Sequence, residues 1–200
     1  MLTRIYLAHG NGAVGSVARR HARARKAEII RHKGKKLKDI LDAHEKFHKG
    51  HPGGERADLS GADLSGADLK KRDLTGANLA GSNLRKADLR GAKLSHADLS
   101  RADMRQADLR NCDFTETRLE GADLSEADLS GTELFRGDLR SAKLHKTILR
   151  GTVLRQANLR GADFSGSDLA LASFREIDLT DVKLDGADLK DAVVRDNRKS

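Results

Sequence analysis

Ala57-Asp58-Leu59-Ser60-Gly61 runs without a break into Ala62-Asp63-Leu64-Ser65-Gly66 and Ala67-Asp68-Leu69-Lys70-Lys71, and this stretch decides the fold. Its central apolar residue recurs at every fifth position from Leu59 to Val194, through twenty-eight units with no insertion or deletion. Where it is not Leu it is Met104, Phe114, Phe164, Phe174 or Val194. Two residues earlier stands a small residue, usually Ala and otherwise mostly Ser, Thr, Gly or Cys. A period of five fits neither a helix nor a simple alternating strand, because a helix would spiral such a Leu series around its axis. The pattern suits a flat-sided coil, with one pentapeptide per side and the Leu pointing inward. Each unit then buries its apolar residues only against its neighbours.

The units A-[DN]-L-x-x, as in Ala57-Asp58-Leu59-Ser60-Gly61 and Ala77-Asn78-Leu79-Ala80-Gly81, resemble the bacterial pentapeptide-repeat family over about seven tenths of the chain. Leu37-Lys38-Asp39-Ile40-Leu41-Asp42-Ala43-His44 looks like the short helical leader that many members carry. The resemblance implies an all-β solenoid: a right-handed quadrilateral β-helix of about seven coils with a short α-helical N-terminal cap. At the ~4.8 Å spacing of paired strands it would be a rod of about 33 Å. Residues twenty apart would then stack, as Leu59, Leu79, Leu99 and Leu119 do in one ladder. The implied organisation is a basic segment at 1–34, partly helical or flexible, a capping helix and turn at 35–56, the repeat at 57–194 and a polar tail at 195–200.

Composition narrows the alternatives. Aromatics are 3% of the 200 residues, so Leu and Ala must supply the core. A single Cys, Cys112, excludes an internal disulfide framework and fits a reducing, cytoplasmic setting; its small-residue position marks it as core. No apolar run is long enough to span a bilayer. The net charge of +8 divides into +9 for residues 1–52 and −1 for residues 53–200. The basicity belongs to the leader.

In the leader, Ser16 is the expected N-cap of a helix through about His32, and Gly34 separates it from a second helix of about Lys35–Lys49. The acid-free opening, Met1–Ala27, also has the composition of an organelle transit peptide. Gly10-Asn11-Gly12-Ala13-Val14-Gly15 matches G-x-G-x-x-G, but no βαβ unit follows it, so it reads as a chance match. His44-Glu45-Lys46-Phe47-His48 matches H-E-x-x-H, yet a zinc peptidase needs a cleft that the last helix before a repeat does not offer. The expected roles are His44 on the capping face and His48 on the solvated side.

Departures within the repeat carry further expectations. Arg72 occupies a small-residue slot, which predicts a distorted corner with the guanidinium reaching outward. Ile177 and Val182 are bulkier than Ala and are expected to plug the last coils. The final coil lacks an evident cap, and an uncapped edge invites pairing, so a homodimer through the C-terminal coil is expected.

Outward positions bear on function. Asp dominates the position before Leu, and Lys70, Arg90, Arg110, Arg150 and Lys190 share one side with Asp68, Asp88, Asp108 and Asp188, which predicts a self-neutralising surface. No catalytic set, metal cluster, cofactor site or small-molecule substrate site stands out, so the chain is not expected to be an enzyme. Phe135, Ile148, Val153 and Leu171 stand at outward positions and form the candidate partner-binding patch. The leading reading is a non-catalytic protein-interaction or scaffold module with an unknown protein partner. The family implies an alternative, binding and protection of DNA gyrase or topoisomerase IV by imitation of duplex DNA, which a repeat of charge −1 fits poorly. The other alternative is nonspecific attachment of residues 1–34 to nucleic acid or an anionic membrane.

Overall fold

The structure is a computed structural model and describes residues 29–195. The Gly10–Gly15 motif, the Ser16 cap and most of the basic segment lie outside the described residues. Before the repeat, β1 (Arg31–His32) pairs antiparallel with β2 (Lys35–Lys36). Lys33 and Gly34 link them, both at positive φ (47° and 80°), as a two-residue type I′ hairpin requires. This corrects only the end of the expected helix near His32: Ile29 is helical, Arg31 and His32 are extended, and the Lys-Gly pair turns the chain tightly, while the rest of that helix lies outside the described residues.

α1 (Leu37–His48) follows at once. Lys36 gives it no side-chain cap, and the Leu37 N–H donates to the Ile30 carbonyl instead, at 2.8 Å. The helix ends in a Schellman motif: Gly50, at φ 64°, donates to the Phe47 carbonyl and His51 to the Lys46 carbonyl. Gly54 then passes so close that a Cβ there would lie 2.4 Å from the Phe47 nitrogen. Only glycine lets the chain enter the repeat along this path.

Within the repeat, residues twenty apart are joined by parallel bridges: Asp58 to Asn78, Asn78 to Asp98, and so on along four columns. The unit of the bond pattern is plain at the first bridge. The Leu59 N–H donates to the Asn78 carbonyl at 2.7 Å, and the Asn78 N–H donates to the Ala57 carbonyl at 2.9 Å. Between bridges the chain turns, with the Ala62 N–H closing back on the Leu59 carbonyl and Gly61 at φ 66°. That is the positive φ a type II turn needs at its third residue. Lys71, Arg101, Glu116 and Arg136 adopt the same left-handed φ without being glycine.

The expected right-handed quadrilateral β-helix is therefore corrected. The described residues hold only two sheets, each of two strands: β1 with β2, and β3 (Ser173–Arg175) with β4 (Val193–Arg195), which are parallel. Neither curls or closes. The remaining bridges in the repeat are isolated and one residue wide. The reason is local: two of every five residues are spent on a turn with left-handed φ, which leaves a single residue in register before the next corner.

We call each twenty-residue stretch from position 57 a tier. The central apolar residues of tiers one to six are buried, and the small residues beside them are buried too except Arg72. Burying each Leu contributes about 1.5–3 kcal/mol relative to exposure, so these columns dominate stability. α1 covers tier one with Leu37, Ile40, Leu41 and His44. At the other end Leu179 and Leu184 are only partly buried, and Leu189 and Val194 are exposed.

The Arg72 expectation splits. Its side chain is exposed, as a cation in that slot must be. The corner does not distort: the Arg72 N–H reaches the Leu69 carbonyl at 3.2 Å, and the Arg72 carbonyl accepts from Lys93 at 3.0 Å. Turning the side chain outward costs the backbone nothing.

Candidate interaction surface

The outward residues follow the bridges. In the column Asp68, Asp88, Asp108 and Asp128, each aspartate accepts the N–H two residues on, and the first three also meet the side-chain cation of that residue. Lys70 lies 2.8 Å from Asp68 and 3.7 Å from Asp88, Arg90 2.8 Å from Asp88 and 3.3 Å from Asp108, and Arg110 2.7 Å from Asp108 and 3.6 Å from Asp128. The charges interlock along the column. Burial alone would raise the Asp88 carboxyl, but the hydrogen bond and charge of Arg90, with Lys70, hold it below the usual carboxylate range. The Asp103–Arg105 and Asp138–Arg140 pairs repeat the arrangement on other columns. The expected self-neutralising surface is present along this column.

The four candidate residues are not equivalent. Phe135 is only partly exposed, because the guanidinium groups of Arg136 and Arg155 lie over its ring at 4.8 and 5.9 Å. Those arginines are tied in turn to Glu116 and Glu176. Ile148, Val153 and Leu171 are 40%, 38% and 61% exposed. Ile148 bridges Asp128 to Asp168, so it interrupts the acidic column, and Val153 bridges Glu133 to Ser173. Leu171 stands one tier beyond Gly151, whose N–H donates to the neighbouring Ala170 carbonyl. The register therefore brings Ile148, Val153 and Leu171 to one corner of tiers five and six, and leaves Phe135 one tier earlier beneath its arginines.

The histidines of α1 take on structural work. His44 is fully buried; its Nδ1 accepts the Ala57 N–H at 3.0 Å, and its Nε2 is buried without a partner. Burial, then the charge of His48, lowers its pKa below the ordinary histidine value. The two rings meet edge to face with centroids 4.6 Å apart, and His48 Nε2 lies 2.9 Å from the Thr75 carbonyl. His48 is exposed, as expected of the solvated side, and from there still reaches tier one. Among the described residues no cluster of three metal-binding side chains occurs. Cys112 is buried, its thiol donates to the Leu89 carbonyl, and burial pushes its pKa up to about 12. It is a core residue.

A family model described as "Pentapeptide repeats" matches residues 55–71 and, in overlapping segments, 73–196, in eight copies. The chain is a pentapeptide-repeat protein. No curated protein matches it. Among solved structures it is similar to HetL of the cyanobacterium Nostoc sp. strain PCC 7120, a pentapeptide-repeat protein involved in heterocyst differentiation regulation, at 33% identity over 68% of this chain and 82% of that one, with a TM-score of 0.34. It is similar to QnrB1, a plasmid-mediated fluoroquinolone resistance protein, at 29% identity over 68% of each chain, with a TM-score of 0.39. A pentapeptide-repeat protein of the Arabidopsis thaliana thylakoid lumen is 37% identical over 54% of this chain and 65% of that one, with a TM-score of 0.19. As a member of this family the chain is non-catalytic. No helix of the described residues is long and apolar enough to cross a membrane.

Proposed function

We propose that this pentapeptide-repeat protein works by protein contact, and that a type II topoisomerase is the partner class the comparisons favour. The observation that carries the first half is the corner where Ile148 and Val153 stand exposed on columns that elsewhere carry paired charges, with exposed Leu171 beside them. The second half rests on the similarity to QnrB1, since fluoroquinolones act on type II topoisomerases. The interlocked charges oppose a DNA mimic that is uniformly negative, so the contact would be made by patches. A homodimer through the exposed C-terminal tier, and a cytoplasmic location, belong to the same proposal.

The test is a gyrase supercoiling assay with a quinolone present, run with the wild type and with the double variant Ile148→Asp, Val153→Asp. Protection by the wild type that the variant loses supports both halves. Protection that the variant retains removes the patch. No binding and no protection at micromolar protein removes the topoisomerase. A sedimentation mass of one chain at the same concentration removes the dimer.

A further inference from the structure

The bond pattern that joins tiers one to six fails at one place. Asn158 bridges back to Asp138 but not forward to Asp178, although each other column continues into tier seven. The Gly161 N–H reaches the Asp181 carbonyl, one residue later than the offset used by Gly61, Gly81 or Gly121 on the same column. Asp181 also lacks the left-handed φ found at each other position of its kind from Gly61 to Asp191. A cleft of about 370 Å³ opens there, lined by Ala157, Asn158, Arg160, Thr180 and Asp181 among others.

The residue at the break is Ile177, which sits in a small-residue slot and is buried. The slot itself tolerates β-branching. Thr117 fills it three tiers earlier with its bridges intact and its hydroxyl donating to the Leu94 carbonyl. Val182 fills the next slot, and the Asp163–Lys183 bridge survives. What Ile adds to Val is a single methylene, and a close-packed interior answers overpacking of that size by shifting backbone.

We infer that tier seven is a hinged end unit, prised open by Ile177 along the Leu159 column and held by the Asp163–Lys183 and Asp168–Asp188 bridges and by β3 and β4. Opening on that hinge uncovers Leu159 and Ala157, buried in the closed form, so the unit is a flap over apolar surface. Local opening of this kind is read by amide exchange.

Native-state hydrogen exchange on the full chain tests it. Amides of residues 178–193 should exchange at least 100-fold faster than their counterparts at 118–133. An exposed tier exchanges fast in any case, so the deciding variant is Ile177→Val, which should close the bridge between positions 158 and 178 and cut the exchange of the whole tier by 10-fold or more. The reverse variant, Ala97→Ile, puts the wedge in the same slot of tier three and should strip protection from the Asp98 and Leu79 amides alone. Unchanged exchange in Ile177→Val, or full protection at Asp98 in Ala97→Ile, overturns the inference.

Discussion

The two ends of the repeat are built from the same units and meet opposite fates. Tier one presents Leu59, Leu64, Leu69 and Leu74, all fully buried, because α1 lays Leu37, Ile40, Leu41 and His44 across them. Tier seven presents Leu179, Leu184, Leu189 and Val194, and none of them is fully buried among the described residues. The difference teaches that a pentapeptide has no core of its own. Its Leu is buried only when something lies on both faces of its tier, another tier or a helix.

The largest test of that statement compares the middle with the open end. Phe114→Ala in tier three should cost about 3–5 kcal/mol, because the ring is fully enclosed and the neighbours cannot collapse. Val194→Ala should cost less than about 0.5 kcal/mol, since the side chain is already exposed. Urea denaturation of both variants checks the ratio, and equal losses would break the comparison.

Removing the cover of tier one should come next. Leu37→Ala should cost about 2–4 kcal/mol, felt locally. The amides of Leu59 and Leu64, bonded to the Asn78 and Asn83 carbonyls, should then exchange like those of tier seven. If they stay as protected as in the wild type, α1 is not what closes that end.

Acid should loosen the covered end before the middle. The folded-state pKa of His44 lies below its ordinary value of 6.5, so the unfolded chain binds the proton more readily. Its contribution is present above about pH 6.5 and is lost as pH falls from there toward the folded value. A proton on Nδ1 would also break the bond from the Ala57 N–H. Arg56 and His48 oppose the charge and Asp73 favours it, which leaves burial and repulsion ahead. The Ala57 amide, followed by NMR and corrected for intrinsic rate, should lose protection below that pH, and His44→Phe should abolish the dependence.

The aspartate columns have the same sign and a lower window. The Asp88, Asp103 and Asp138 carboxyls are held below the ordinary value, so their contribution is present above about pH 4 and is lost as pH falls through the folded values. Only a small effect is expected of these pairs. Arg110→Ala should shift stability by no more than about 1 kcal/mol, since the guanidinium is partly exposed and solvent screens it. A loss of several kcal/mol in a denaturation curve would mean that the interlocked charges, and not the Leu columns, hold the middle together.

The sequence by itself determined which side chains are buried. Leu at every fifth position, a small residue two before it and Asp one before it are local facts, and they placed the core, the interlocking charges and the helix that closes tier one. It also marked Ile148, Val153 and Leu171 as unusual, because each puts an apolar residue on a column that is mostly polar or small. Other features were not legible, for reasons that only tertiary structure settles. Strands do not form where a turn consumes two residues in five, so the expected sheets reduce to single bridges. Phe135 looks free in sequence and is covered by two arginines, one of them from the following tier. Ile177 reads as a plug, and whether its extra bulk over the Ala, Gly and Thr of its column fills the slot or parts the tiers is decided by the fit against tier six. Both depend on what lies twenty residues away, and packing at that distance is decided by fit.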